Sequence, residues 1–271
     1  MTCTRFSTDR AKPTAILSAL LQEQHGLIEL LQNPRKISHA GREFWLGELH
    51  DQPVVLALSK IGKVAAATTA TALIEHFGVQ RIVFTGVAGG LGATVKVGDV
   101  VVATDFLQHD LDASPLFARY EVPLYGKTRF ESDVALTALL FQAADAVLMA
   151  RGMLTDVQAG RTPCATLRFP QAQVHSGLIA SGDRFVCGAQ ESRQLKESLN
   201  GAGHEVLAVE MECAAVAQVC LDYGVPFAAV RTISDRADDS AHVDFSSFVE
   251  EVASRYAQLI IERLLGLLSK K

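Results

Sequence analysis

Residues 206–235 read VLAVEMECAAVAQVCLDYGVPFAAVRTISD. Two apolar runs, 206–209 and 227–232, flank a stretch from about Glu212 to Tyr223 with helical spacing, and Gly224 stands where a helix of that length would be capped. This strand–helix–strand order constrains the fold more than any other feature. Strands that are apolar on successive residues need cover on both faces, which points to an α/β sheet. Joined through a helix, two such strands are expected to run parallel. A dry unit of this kind has little use for charge. Yet Glu210, Glu212, Arg231 and Asp235 stand at its strand ends.

The pattern occurs earlier as well. The run VVLALS at 54–59, the alanine-rich helical stretch IGKVAAATTATALIEHFG closed by Gly78, and RIVFTG make a first parallel βαβ unit. The stretch KVGDVVVATDFL reads as another strand, reached without a helix between. GREFWLGELHDQPVVLALS gives two strand-like runs around the turn residues Asp51 and Pro53. Residues 13–31 are ambiguous: TAILSAL fits a strand, and QEQHGLIELLQ follows with helical spacing. DASPLFARYEVPLYG has the prolines and aromatics of a long ordered loop. Residues 132–150 are helical by pattern, 155–170 look like a connection, VHSGLIASGDRFV is strand-like, and 246–268 form a long amphipathic helix. With no repeat and no linker, 13–271 is expected to be a single domain, preceded by a disordered or frayed extension at 1–12.

Composition excludes several functions. The 271 residues carry a formal net charge of −5, whereas a sequence-independent nucleic-acid binder needs a basic face. No apolar run approaches the ~20 residues of a membrane span. The run 15–21 is too short for a signal peptide and is broken by Gln22 and Glu23. Five scattered cysteines without CxxC spacing read as free thiols in a reducing cytoplasm. Eight histidines include no zinc pattern, so neither a metal nor another cofactor is expected.

The glycine-rich TGVAGGLG follows a buried strand but runs into another strand instead of opening a helix, so a dinucleotide fingerprint fails on context. A tight strand-to-strand turn and a ligand-facing loop both remain open. For the charged residues, the plain structural readings are a first-turn acid for Glu212, a cap or turn residue for Asp235, and a neutralising partner for Arg231. If the two strands are parallel, both acids and the arginine converge on the carboxyl edge of the sheet, which favours a site.

Taken in order, IGKVAAATTATALIEH, TGVAGGL, VGDVVVATD, SGDRFV, VEMECAAVAQVC and VRTISDRAD resemble the 5′-methylthioadenosine/S-adenosylhomocysteine nucleosidases, a family of the nucleoside phosphorylase superfamily. The similarity runs from about Thr14 to the C-terminus, and the pairing of VEME with SD is its most specific element. The resemblance implies a three-layer α/β/α sandwich around a mixed, mainly parallel sheet. It also implies a homodimer and hydrolysis of the adenine–ribose bond of a small nucleoside without phosphate. The apolar stretch 106–120, costly to expose on a monomer, agrees with a dimer.

Residue by residue, the resemblance makes Asp235 the acid that protonates adenine N7, which requires a raised pKa. Glu212 grips the two ribose hydroxyls, for which two acceptor oxygens are suited. The Met211 N–H assists it, and the Met211 side chain packs near the sugar. Glu23 activates water, although LLQE is less acidic than the family's pattern, and a solvated first-turn residue is the plain alternative. Arg231 positions water and sugar, Phe185 stacks on adenine, and the Val186 backbone reads the adenine edge. Phe245 lines the alkylthio pocket. The segment DFLQHDLDASPLF matches one lent by a neighbouring subunit; its His109 and Asp112 are assigned no catalytic role. Two departures stand out: Val87 replaces a hydroxyl residue, and Lys60 replaces a glycine. A lysine there raises the rival of a purine nucleoside phosphorylase, and the lost hydroxyl raises that of a non-catalytic nucleoside-binding relative.

Overall fold

A computed structural model describes residues 11–154, 171–237 and 248–270. The chain runs β1 (Thr14–Ser18), α1 (Leu21–Glu29), β2 (Gln32–His39), β3 (Arg42–Leu49), β4 (Gln52–Leu58), α2 (Lys63–Glu75), β5 (Arg81–Gly90) and β6 (Val100–Gln108). There follow β7 (Phe130–Glu131), α3 (Val134–Leu154), β8 (Val174–Ser181), α4 (Ala189–Gly201), β9 (Val206–Glu210), α5 (Cys213–Tyr223) and β10 (Phe227–Asp235). A π-helical turn, Val249–Ala253, leads into α6 (Ser254–Leu268).

All ten strands join one mixed sheet in the order β10-β6-β8-β9-β5-β1-β4-β3-β2, with β7 paired to β6. An additional pairing of β10 with β5 closes β10, β6, β8, β9 and β5 into a ring. Helices cover both faces. Ala66, Leu73, Val216 and Cys220 of α2 and α5 pack on one side with Leu17, Ile82 and Phe84. Leu27, Leu140, Ile260 and Leu264 of α1, α3 and α6 pack on the other with Ile16, Leu56 and Val230. Each such Val, Leu, Ile or Phe side chain, shut from water, contributes roughly 1.5–3 kcal/mol. The three-layer α/β/α arrangement is therefore the one expected. No described helix is long and apolar enough to cross a membrane.

Strands β4 and β5 are parallel, as their connecting helix requires, but β1 lies between them and pairs with both. The second unit differs from expectation. β10 runs parallel to β5, whereas β9 runs antiparallel to it, so β9 and β10 are antiparallel and separated by β5. The reason is ring closure: β9 follows β8 and β6 around the ring and returns to the end of β5 from the far side. The carboxyl ends of β9 and β10 still meet, because Val209 and Asp235 both pair with Gly89.

The glycine-rich stretch belongs largely to this meeting point. β5 continues through Val87, Ala88, Gly89 and Gly90 before the chain turns away at Leu91. A Cβ on Gly89 would sit 3.1 Å from Oδ1 of Asp235 and 3.0 Å from the Ala237 side chain, so the absence of a side chain lets β10 close down on β5.

Candidate active site

At the end of β9, Glu210 is the organiser. Its carboxylate accepts the Glu212 N–H at 3.1 Å and the Cys213 N–H at 3.0 Å, thereby capping α5, and it also accepts the Ser181 hydroxyl. Glu212 occupies the N-cap position of α5, but its side chain does not cap that helix. It turns instead to the start of α2 and accepts the Gly62 N–H at 2.9 Å. Burial, followed by the neighbouring Glu210, pushes the Glu212 carboxyl up to about 8, against the pull of Arg231.

Arg231, near the end of β10, is only 1% exposed. Its Nη2 donates to Oε2 of Glu210 at 2.5 Å and lies 3.6 Å from Oε2 of Glu212. The guanidinium rests on the Phe84 ring, 4.3 Å from its centroid. Beside it sits Glu23 at the start of α1, only 2% exposed. Its Oε2 accepts the N–H groups of Ala19 and Leu20 at 2.8 and 2.9 Å, and its Oε1 accepts that of Val87 at 3.0 Å. Glu23 is thus a buried residue whose carboxylate closes the first turn of its own helix, not a solvated one. Burial raises its pKa, and Arg231 opposes the rise. The two side chains approach across Gly86, where any Cβ would overlap Nη1 of Arg231 and crowd Oε1 of Glu23.

Asp235 ends β10. Its Oδ1 accepts the Ala237 N–H at 2.7 Å, fulfilling the expected turn role, and its Oδ2 accepts the Ser234 hydroxyl at 2.7 Å. These groups border one cleft of about 170 Å³. Glu23, Val87, Phe185, Val186, Met211, Glu212, Arg231 and Asp235 all line it. Val186 is buried, whereas Phe185 is 46% exposed. Phe245 lies outside the described residues.

Three singled-out residues stand apart from the cleft. Lys60 donates to the Gly41 carbonyl at 3.1 Å on the surface, so it supplies no charge to a bound anion. His109 is buried, with its ring packed against Gly182, and Asp112 accepts the Ser114 N–H at 3.0 Å in its own loop. In the stretch 106–120, Phe106, Leu107 and Tyr120 are buried within the chain itself, while Leu116 is 84% exposed.

The charge balance has a chemical consequence. Glu23, Glu210 and Glu212 surround Arg231, and with Asp235 and Arg184 they give the cleft wall four carboxyl groups and two guanidinium groups. The raised pKa values of Glu23 and Glu212 make each a stronger base than an ordinary carboxylate. Among the described residues no cluster of His, Cys, Asp and Glu has the makings of a metal site. Glu210 is the residue that sequence reasoning left without a role. Its signal was present: in VEMEC, an acid at the last strand position followed by two free N–H groups of a helix start is a capping arrangement.

The sequence profile described as "Phosphorylase superfamily" matches residues 13–266. A 5′-methylthioadenosine/S-adenosylhomocysteine nucleosidase of Actinobacillus succinogenes is 34% identical over 253 residues, covering 93% of this chain and 98% of the relative. The crystal structure of a nucleosidase of the same description from Neisseria meningitidis, in complex with methylthio-immucillin-A, matches with a TM-score of 0.80 and 34% identity. That match covers 94% of this chain and 99% of the other. A futalosine hydrolase of Helicobacter pylori matches with a TM-score of 0.78 and 31% identity over 94% of this chain and 98% of that one. With its sheet, its cleft and these matches spanning nearly the whole length, the chain belongs to the 5′-methylthioadenosine/S-adenosylhomocysteine nucleosidase family of the phosphorylase superfamily.

Proposed function

We propose that this protein hydrolyses the N-glycosidic bond of 5′-methylthioadenosine and S-adenosylhomocysteine, releasing adenine and the thioribose product. The observation that carries the reading is the gathering of Glu23, Glu212 and Asp235 around the buried Arg231 in one cleft beside Phe185. Asp235 delivers a proton to adenine N7, and the C1′–N9 bond breaks with its electron pair going to the base. Glu212 holds the 2′- and 3′-hydroxyls through its two carboxyl oxygens. Water adds to C1′ as Glu23 takes its proton, and Arg231 fixes the orientation of the acids on either side. Phe185 stacks on the purine, and the Val186 backbone and Met211 complete the base and sugar contacts. For Phe245 the resemblance alone gives a role, toward the 5′-substituent.

Hydrolysis is favoured over phosphorolysis because Lys60 faces away and Arg231 is already engaged by Glu210. The decisive experiment is adenine release from a panel of 5′-methylthioadenosine, S-adenosylhomocysteine and futalosine, with and without phosphate. Release unaffected by phosphate is expected; a strict need for phosphate would contradict the reading. The protein acts in the cytoplasm, in methionine salvage and removal of methyl-cycle by-products, as a homodimer. Leu116 and Leu124, 84% and 92% exposed, support the dimer. Sedimentation of a fully active monomer would contradict it.

A further inference from the structure

We propose that Asp183 is a positioning residue that fixes the base-binding loop against the ribose-binding carboxylate, both being tied to the first turn of α2; this rests on the nucleosidase reading above. Asp183 does not line the cleft. It stands two residues before Phe185 and three before Val186, and its Oδ1 accepts the Lys63 N–H at 2.8 Å. The preceding N–H of the same turn, that of Gly62, donates to Glu212 at 2.9 Å. Two consecutive amides at one helix start therefore hold the two halves of the site, which arrive from β8 and from β9.

The arrangement is braced from the other side. The Asp183 N–H donates to Oδ2 of Asp110 at 2.8 Å, and Nζ of Lys63 meets Oδ1 of Asp110 at 2.5 Å and Oε1 of Gln108 at 3.2 Å. Gln108 in turn donates from Nε2 to Gln218 of α5 at 2.8 Å, closing a circuit back to the helix that follows Glu212. The His109 ring packs against Gly182, and the Gly182 N–H donates to the Glu210 carbonyl at 3.1 Å, so the loop is seated from below. Gly62 has φ +96°, and a Cβ there would lie 3.2 Å from Oδ1 of Asp183. A larger residue at 62 would crowd Asp183 and strain the backbone.

The site's precision depends on this junction because stacking and hydrogen bonding of the purine fail when the loop shifts relative to the sugar. The side chain of Asp183 is 49% exposed, so its replacement leaves the core untouched. The test is calorimetric binding of adenine to the full chain and to Asp183→Ala and Asp183→Asn, each well below its unfolding temperature, with KM and kcat for 5′-methylthioadenosine measured alongside. Asp183→Ala is expected to weaken adenine binding about five- to tenfold and to raise KM more than it lowers kcat, the size of losing one charge-assisted cap bond. Asparagine keeps an oxygen for the Lys63 N–H and is expected to bind within about twofold of the unaltered chain. Alanine binding as well as aspartate would overturn the proposal, and so would asparagine binding as poorly as alanine, with the nucleosidase reading intact in both cases. Failure of the unaltered chain to bind adenine would overturn the base-site reading, and this proposal with it.

Discussion

Nη2 of Arg231 donates to Oε2 of Glu210 at 2.5 Å, and both side chains are shut almost completely from solvent. Removing one member of such a pair strands the other charge in a poorly solvating interior, a loss of about 3–5 kcal/mol. Glu210 also accepts the Ser181 hydroxyl and two α5 amides, which alanine would leave without their acceptor. Glu210→Ala is therefore expected to lower the unfolding free energy by about 3–5 kcal/mol in urea titration. A loss under about 1 kcal/mol would mean that Glu212 and Glu23 alone neutralise Arg231.

Gly86→Ala probes the approach of Glu23 to Arg231. The new methyl would overlap Nη1 of Arg231 and fall 2.8 Å from Oε1 of Glu23, so one of the two must move. Overpacking of this kind costs about 1–3 kcal/mol. Turnover is expected to fall further than stability predicts, since moving either group disturbs the pairing that the proposed reaction uses. Assays of adenine release and unfolding on the same variant check this, and unchanged turnover would show that their spacing is unimportant.

Glu212 makes stability depend on pH. Its carboxyl titrates at about 8 in the folded chain, raised by burial and by Glu210, against 4.5 when unfolded. Between those values the folded state holds a proton that the unfolded state has released. The contribution of Glu212 is thus fully present below about pH 4.5 and declines as pH rises through 8, at no more than about 1.4 kcal/mol per unit. The difference in unfolding free energy between the unaltered chain and Glu212→Gln is expected to slope downward across this window. An upward slope would mean that Arg231 outweighs burial and that Glu212 is ionised in the folded state.

Val87 lines the cleft, and its N–H already serves Glu23. Val87→Ser keeps that backbone bond and adds a hydroxyl beside the carboxylate. The lost methyl burial is expected to cost no more than about 1–2 kcal/mol, with turnover equal or higher. A large fall in turnover by a folded Val87→Ser protein would show that this cleft depends on the apolar side chain.

The sequence made the layered fold legible where burial is two-sided. The runs ending in Thr85 and Thr232 are apolar because both faces are covered; α5 is legible from its cap at Gly224, whereas α2 is capped at His76, two residues before the expected Gly78. Strand direction in the second unit was not legible, because β9 is turned around by a partner, β5, far away in the chain. Strand β2, QNPRKISH, is almost wholly exposed and offers no apolar alternation; its strand state comes from pairing with β3. α4 buries only Leu199 among its residues, so its periodicity is faint. In the site, spacing revealed that acids meet at strand ends. It did not reveal that Glu210 and Glu212, two residues apart, face different tasks, one turned to Arg231 and α5, the other to Gly62.

The central claim is that Asp235 supplies the proton that lets adenine leave. Asparagine is nearly isosteric, and its oxygen can still accept the Ala237 N–H that Oδ1 now takes, so the turn at the end of β10 should persist. It cannot transfer a proton. General-acid catalysis is worth about 10²–10⁴-fold. The direct measurement is adenine release from 5′-methylthioadenosine by Asp235→Asn, with thermal unfolding recorded on the same preparation. The account predicts turnover reduced at least about a hundredfold in a protein that unfolds near the original temperature and still binds substrate. Near-normal turnover in that folded variant would contradict it and leave Asp235 a turn residue only.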